Sequence, residues 1–190
     1  MNLVLTICIG EHFQSIAAIT HQSISNYARK IEADFKVITD QKHLTPHWEK
    51  LRMYDLLNVY ERILYIDTDV LIKHDCPDLF KIVPKDTIGA FNEGRYFDRK
   101  YPDYYNAGVL VIPRCKRDIF INPEIEQGDI NTFYDQDFIN DRIQASGCLV
   151  YNLSHKFNKM DFIQAPGYII HKAGNLNALA ELKELAGVLV

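Results

Sequence analysis

The chain has no run approaching the roughly 18 uninterrupted apolar residues of a membrane span, no paired cysteines and no surplus of basic charge. Cys8, Cys76, Cys115 and Cys148 are scattered, without C-x-x-C spacing. That argues against a zinc knuckle or a disulfide framework and fits a reducing compartment, so a cytoplasmic location is expected. A net charge of −4 gives no reason to expect affinity for nucleic acid or an anionic membrane. Ile9-Gly10-Glu11, after the first apolar run, is no glycine-rich phosphate loop, which argues against a nucleotidyltransferase. The opening MNLVLTICIGEHF lacks a basic segment and a small-residue cleavage site, so it reads as a strand and not as a secretory signal. No repeat, low-complexity tract or linker interrupts the 190 residues. One domain spanning 1–190 is expected, either a minimal unit or one domain of a longer protein.

What is present is a strand–helix alternation. Leu3 to Ile9 is a continuous apolar run. Helical spacing follows from Phe13 to Ile31, then a strand from Phe35 to Thr39, an amphipathic helix from His47 to Tyr60 behind Pro46, and a strand from Arg62 to Ile66. This β-α-β-α-β order predicts a largely parallel sheet in an α/β fold. Further strands are expected at 87–91, 108–113, 149–152 and 168–170, and helices at 135–143 and 176–185, the latter stopped by Gly187. The stretch from Asn92 to Tyr105 reads as a polar, aromatic loop.

The stretch Arg62-Ile-Leu-Tyr-Ile-Asp67-Thr68-Asp69-Val-Leu-Ile72 carries the most chemistry. Charge inside so apolar a run needs a reason, because an unpaired buried carboxylate is costly. Two aspartates at i and i+2 just past a strand can turn oxygens toward one hard divalent cation. The carboxyl end of a strand is also where open α/β sheets bind ligands. The spacing alone is weak, since sixteen aspartates give about one such pair by chance, and Asp135/Asp137 is a second. The partners give it weight. Asn92-Glu93 follows the strand TIGAF, Tyr105-Asn106-Ala107-Gly108 precedes VLVIP, Asp135-Gln136-Asp137 opens a helix, and His171 follows YII with Gly174 three residues on.

Taken together, RILYIDTDVLI (62–72), IGAFNE (88–93), YYNAGVLVI (104–112), YDQDFIN (134–140), HKFN (155–158), IIHKAG (169–174) and Lys50-Leu51-Arg52 resemble glycosyltransferase family 8, the family of glycogenin and of bacterial lipopolysaccharide galactosyl- and glucosyltransferases. The resemblance runs colinearly from about residue 2 to about residue 175. No single motif is strong; six in one order are. It implies a single GT-A domain, a Rossmann-like nucleotide-diphospho-sugar transferase fold with a mixed, mostly parallel central sheet. It also implies transfer of a hexose from a UDP-sugar to an acceptor hydroxyl on a glycan, lipid-linked or protein acceptor, with retention of configuration. The expected cofactor is Mn²⁺, with Mg²⁺ as the alternative.

Carried over residue by residue, Asp67, Asp69 and His171 would hold the metal and, through it, the donor diphosphate. A mixed oxygen and imidazole set suits Mn²⁺ better than Mg²⁺. Glu93 and Asn106 would face the donor sugar, with Asp135 and Gln136 at the reacting carbon. Lys50 would contact the donor and Phe13 the uracil. Thr68, Ala107 and Gly174 complete the donor-binding set within the same motifs. Each residue also has a plainer reading: a strand-cap asparagine at 106, a helix-capping aspartate at 135, a solvated helix face at Lys50, a core phenylalanine at 13. One departure stands out. The family's last motif continues to a diphosphate-gripping lysine six residues after the histidine, and here Asn177 occupies that place. Tyr96, Phe97, Tyr101 and Tyr104 make the 92–105 loop a lid or acceptor wall in this reading.

Two rivals remain. A haloacid-dehalogenase-type phosphohydrolase also uses strand-Asp-x-Asp, but wants Thr or Val where Leu71 stands. A non-catalytic UDP-sugar-binding domain would share the ligand set and lack turnover.

Overall fold

The computed structural model describes residues 1–43, 45–121 and 135–189. Strands β1 (Asn2–Ile7), β2 (Asp34–Ile38) and β3 (Arg62–Ile66) are linked by helix α1 (Glu11–Lys30) and by 3-10 turns at Pro46–Arg52 that run into the one-turn helix α2 (Met53–Leu56). Then come β4 (Val70–Ile72), the short α3 (Leu79–Ile82), β5 (Ile88–Asn92), β6 (Tyr105–Pro113) and a 3-10 segment, Arg114–Phe120. Helix α4 (Asp135–Ser146), β7 (Val150–Asn152), β8 (Ile169–His171) and α5 (Ala178–Leu189) complete the chain.

Six strands form one sheet in the order β2-β1-β3-β6-β5-β7. Neighbours pair in parallel except at β6, which runs antiparallel to both β3 and β5. The expected mixed, mostly parallel sheet is thus observed. Its strands read as continuous apolar runs because both faces are covered. Leu3, Leu5, Ile63, Tyr65, Leu110 and Ile112 pack on one face with Trp48, Met53, Phe120 and Ile139. Val4, Leu64, Ile66, Val109 and Val111 pack on the other with Ile24, Tyr27 and Ala28 of α1. Helix α1 offers that face because its buried positions, Ile16, Thr20, Ile24, Tyr27 and Ala28, recur at helical spacing. Each such aliphatic side chain contributes about 1.5–3 kcal/mol when fully buried.

Beyond shifts of a residue or a few at element ends, the structure departs from the sequence expectation where it bears on the site and the chain's end. No continuous helix spans 47–60, because polar side chains are drawn inward: Glu49 is fully buried and accepts from the backbone N–H groups of Lys42 and His43 at 2.6 Å each. The strand expected at 62–66 is β3, but a second strand without an expected counterpart, β4, follows the aspartates and pairs antiparallel with β8 in a separate sheet. Strand β6 begins at Tyr105 and not at Gly108, so Asn106 lies inside a strand. The side chain of Asn140 holds it there, accepting from Tyr105 N at 2.7 Å and donating to Tyr105 O at 2.8 Å. Strand β8 extends to His171, one residue past the expected end. Finally, α5 runs through Gly187. A helical glycine costs only about 1 kcal/mol, which the packing of Leu182 against Ile16 and Leu71 offsets.

Candidate active site

Asp67 and Asp69 leave the carboxyl end of β3 with Thr68 between them. Thr68 is buried, donates to the carbonyl of Ile7 and accepts a 2.6 Å bond on its own carbonyl from Thr20 Oγ1. The chain turns at Thr68 and Asp69, between β3 and β4, and both aspartates come to the same side, toward His171. The β4–β8 register then supplies the third group: Val70 faces His171, and Lys172 N donates to Asp69 O at 3.1 Å. His171 Nε2 ends 3.4 Å from Asp69 Oδ1 and 3.6 Å from Asp67 Oδ2. Ligand atoms of all three residues lie within 4.8 Å of one another.

A chain of buried amides fixes how His171 is presented. Gly108 N–H donates to Asn106 Oδ1 at 2.9 Å, so that atom is the oxygen and Asn106 Nδ2 must donate, at 3.0 Å, to Glu93 Oε2. Asn158 Nδ2 donates to the same Asn106 oxygen at 2.9 Å. Asn158 Oδ1 is thereby an acceptor and receives His171 Nδ1–H at 2.8 Å. A neutral His171 must therefore carry its proton on Nδ1 and turn the Nε2 lone pair toward the carboxylates, as a metal ligand requires. Gly108 leaves the room: a Cβ there would stand 2.1 Å from His171 Cε1 and 2.7 Å from Asp67 Oδ2. On donor set, spacing and free space, the three residues fit one divalent cation.

Charge is balanced by a buried lysine. Lys50 Nζ lies 2.6 Å from Asp135 Oδ2 and 3.3 Å from Asp67 Oδ1, and donates to Ala107 O at 3.1 Å. Burial pulls its pKa down, but Asp135 and Asp67 more than reverse that and hold it above the ordinary lysine range. Lys50 is only 4% exposed, so the solvated-face reading does not hold. Tyr65 O–H donates to the same Asp67 oxygen at 2.6 Å, leaving Oδ2 for the cation. Burial raises the Tyr65 hydroxyl first and the Asp67 charge raises it further, so it stays a donor. At His171, burial favours the neutral ring, yet Asp69 and then Asp67 hold its pKa above the usual value. Burial likewise opposes ionisation of Asp69, and His171 outweighs it, keeping that carboxyl below its usual range.

The triad borders a cleft of about 760 Å³. Of the residues expected at a site, Phe13, Lys50, Asp67, Thr68, Asp69, Asn106, Asp135, Gln136, His171 and Gly174 line it. Glu93 and Ala107 sit behind the wall, 2% and 1% exposed. Glu93 accepts from Arg99 at 2.6 Å and from Gln136 at 3.0 Å on one oxygen and from Asn106 on the other. Ala107 acts through its backbone, donating to Gln136 Oε1 at 2.9 Å. A register shift in β5–β6 between Ala90 and Phe91 brings this corner together. Asp135 is the first residue of α4; position 134, where YDQDFIN starts, lies outside the described residues. Sequence reasoning assigned no role to Asn158, Gly108, Tyr65, Arg99 or Asn140. Asn158 closes the HKFN motif, the one sequence signal near it.

The fold is that of the GT-A glycosyltransferases. The chain superposes on a glycosyltransferase involved in glycosylation of the major capsid of PBCV-1 with a TM-score of 0.70 and 17% identity, covering 97% of this chain and 98% of that one. It superposes on the galactosyltransferase LgtC, in complex with donor and acceptor sugar analogs, with a TM-score of 0.64 and 18% identity, over 100% and 96% of the two chains. A more distant fold neighbour, with a TM-score of 0.51 and 13% identity over 91% of this chain and 71% of that one, is a Drosophila β-1,4-galactosyltransferase 7 in complex with manganese, UDP-Gal and xylobiose. In sequence, the chain is 27% identical over 171 residues to glycogenin of Komagataella phaffii, a match covering 75% of this chain and 40% of that relative's length. No family model matches. Among the described residues, no helix is long and apolar enough to cross a membrane.

Proposed function

We propose that this protein is a cytoplasmic, metal-dependent glycosyltransferase that moves a hexose from a UDP-sugar to an acceptor hydroxyl with retention of configuration. The observation that carries the reading is the convergence of Asp67, Asp69 and a tautomer-fixed His171 at the carboxyl end of β3, on the wall of a 760 Å³ cleft. Mn²⁺, an ion present in one fold neighbour together with UDP-Gal, suits this donor set. Bound there, the ion would neutralise the charge that develops on the departing diphosphate.

The chain's own groups divide the remaining work. In the reaction the bond from the sugar's anomeric carbon to the diphosphate oxygen breaks. A new bond forms to the acceptor oxygen, whose proton is released. Gln136, tied to Ala107 N and Glu93, presents its amide from a fixed position beside Asp135. Asp135 is ion-paired to Lys50 at 2.6 Å. Together they offer the anomeric carbon an ordered negative and dipolar wall, the kind of preorganised field that favours an oxocarbenium-like transition state. Asn106, Thr68 and Gly174 line the donor's path, and Phe13 offers an aromatic edge suited to a base. The fold likeness favours this reading over the phosphohydrolase alternative.

The test is UDP release from a panel of UDP-hexoses with and without Mn²⁺. Mn²⁺-dependent release from at least one donor is expected. Mn²⁺-dependent UDP binding without release from any donor would leave a non-catalytic binding domain.

A further inference from the structure

Two loops far apart in sequence meet beside the cleft. The 92–105 loop carries Tyr96 and Phe97, and the loop before β8 carries Phe162. The Tyr96 ring lies 5.7 Å from Phe91 and 5.2 Å from Phe162, and Phe97 meets Phe162 edge-on at 4.8 Å. Phe91 is buried with Met160 and Ile163, so the cluster has a firm floor. Its upper members are not covered: Tyr96, Phe97 and Phe162 are 51%, 42% and 39% exposed. Leaving three adjacent rings in water forgoes hydrophobic stabilisation, and such patches mark interaction surfaces.

The patch is continuous with the cleft through one residue. Arg99 lines the cleft, and its guanidinium lies 5.1 Å from the Phe97 ring and 5.2 Å from the Tyr104 ring. It is anchored by Glu93, the residue that also holds Gln136. Whatever lies across the rings therefore reaches the cleft over Arg99.

We propose that Tyr96, Phe97 and Phe162 form an acceptor platform that takes a pyranose by its apolar C–H face, a proposal that rests on the glycosyltransferase reading. The electron-rich faces of aromatic rings attract the polarised C–H bonds of a sugar. Sugar hydroxyls at the ring's edge need polar partners. Exposed Arg95, Asp98 and Gln164 adjoin these aromatics in sequence and supply charges of both signs and an amide; Asp161, next to Phe162, is held by Lys172 and Asn175. A lipid tail would favour a broad apolar face without such charge, and a stable second copy would bury about 800 Å² on each partner, far more than three rings offer. A sugar, apolar on its faces and polar at its rim, matches this surface.

The experiment is amide NMR of the full chain titrated separately with methyl β-D-glucopyranoside, methyl β-D-galactopyranoside and maltose. UDP release from UDP-sugar in water is measured in parallel. At least one glycoside should shift the Tyr96, Phe97 and Phe162 amides saturably. Phe162→Ala and, independently, Phe97→Ala should weaken that binding about fivefold. Mn²⁺-dependent UDP affinity should stay within about twofold in both. Phe97 is the more exposed of the two, so its variant decides the matter if Phe162→Ala lowers the melting temperature. Donor hydrolysis without any glycoside shift at these rings overturns the platform and leaves the transferase reading standing. Glycoside binding at the rings without UDP or UDP-sugar binding does the reverse. Self-association lost in Phe97→Ala, or binding to phosphatidylcholine vesicles, would overturn it in favour of a second copy or a lipid.

Discussion

Asn158 accepts a 2.8 Å hydrogen bond from Nδ1 of His171 and is itself completely buried. It is the last amide in a line that begins at the Glu93 carboxylate and passes through Asn106, each bond having one permitted direction. The line turns the identity of a residue far from the cation into the orientation of a ligand. Asn158→Leu should therefore weaken Mn²⁺ affinity by about 10–100-fold, the usual cost of losing a partner behind a ligand. Mn²⁺ titration by electron paramagnetic resonance measures it. Affinity unchanged in a folded variant would show that His171 needs no such support.

Gly108 gives a second, steric handle on the same centre. Its absent side chain is the space that His171 and Asp67 occupy. Gly108→Ala should abolish Mn²⁺ binding and destabilise the fold by about 1–3 kcal/mol, as overpacking in a filled site does. Chemical denaturation and metal titration report the two effects separately. Wild-type metal affinity in this variant would mean that the cation, if bound, lies elsewhere.

Legibility in the sequence followed locality. The β-α-β-α-β half, the aspartate pair, His171 and Asp135-Gln136 were visible because apolar period and abrupt polar punctuation are local signals. The boundaries of β6 and β8 were not, since Asn140 and the β4 partner that extend them come from distant segments. Lys50 is the sharpest case. On a helical wheel it is a solvated charge, and only the folded chain brings Asp67 and Asp135 to it. Asn158 and Gly108 carry no local signal of their role, because one acts by the direction of its amide and the other by the atoms it lacks.

The charge balance predicts a pH signature. Burial opposes protonation of His171, yet Asp69 and Asp67 raise its pKa above the ordinary value of 6.5. In the metal-free protein its imidazolium therefore stabilises the fold fully below that value, and the contribution is lost as pH rises through the folded pKa. Asp69 has the opposite sign: held below 3.8, it contributes above that value and loses the contribution as pH falls through its folded pKa. A cation must displace the His171 proton, so its affinity rises with pH. The gap in melting temperature with and without Mn²⁺ should widen from about pH 6 to about pH 8, across the histidine range. His171→Ala should flatten it. An equal gap at both ends in the wild type would count against imidazole ligation.

Lys50 should be costly to remove even without a ligand. Lys50→Met leaves Asp67 and Asp135 in the cleft wall with their shared cation gone. Breaking such a buried pair typically costs about 3–5 kcal/mol. Mn²⁺ should recover part of the loss by compensating Asp67. Urea denaturation with and without Mn²⁺ tests both statements. A variant as stable as the wild type would place the two carboxylates in effective contact with water.

Glu93 separates two roles that sequence alone merges. As a sugar ligand it would touch the donor; as placed here, both its oxygens are taken by Arg99, Gln136 and Asn106. Glutamine at 93 retains one acceptor oxygen, and Asn106, fixed by Gly108 N–H, can use only that. Glu93→Gln should thus keep the line to His171 intact while releasing Arg99 and Gln136. Mn²⁺ affinity is expected within about threefold of wild type. UDP release should fall at least about tenfold, since a charge-assisted bond is worth roughly 1.5–3 kcal/mol and each 1.36 kcal/mol is tenfold in rate. Glu93→Ala removes the anchor of Asn106 as well and should weaken Mn²⁺ too. The decisive comparison is metal affinity beside turnover in the two variants. If both variants lose turnover and neither loses metal affinity, Glu93 serves the sugar directly and the amide line is anchored without it.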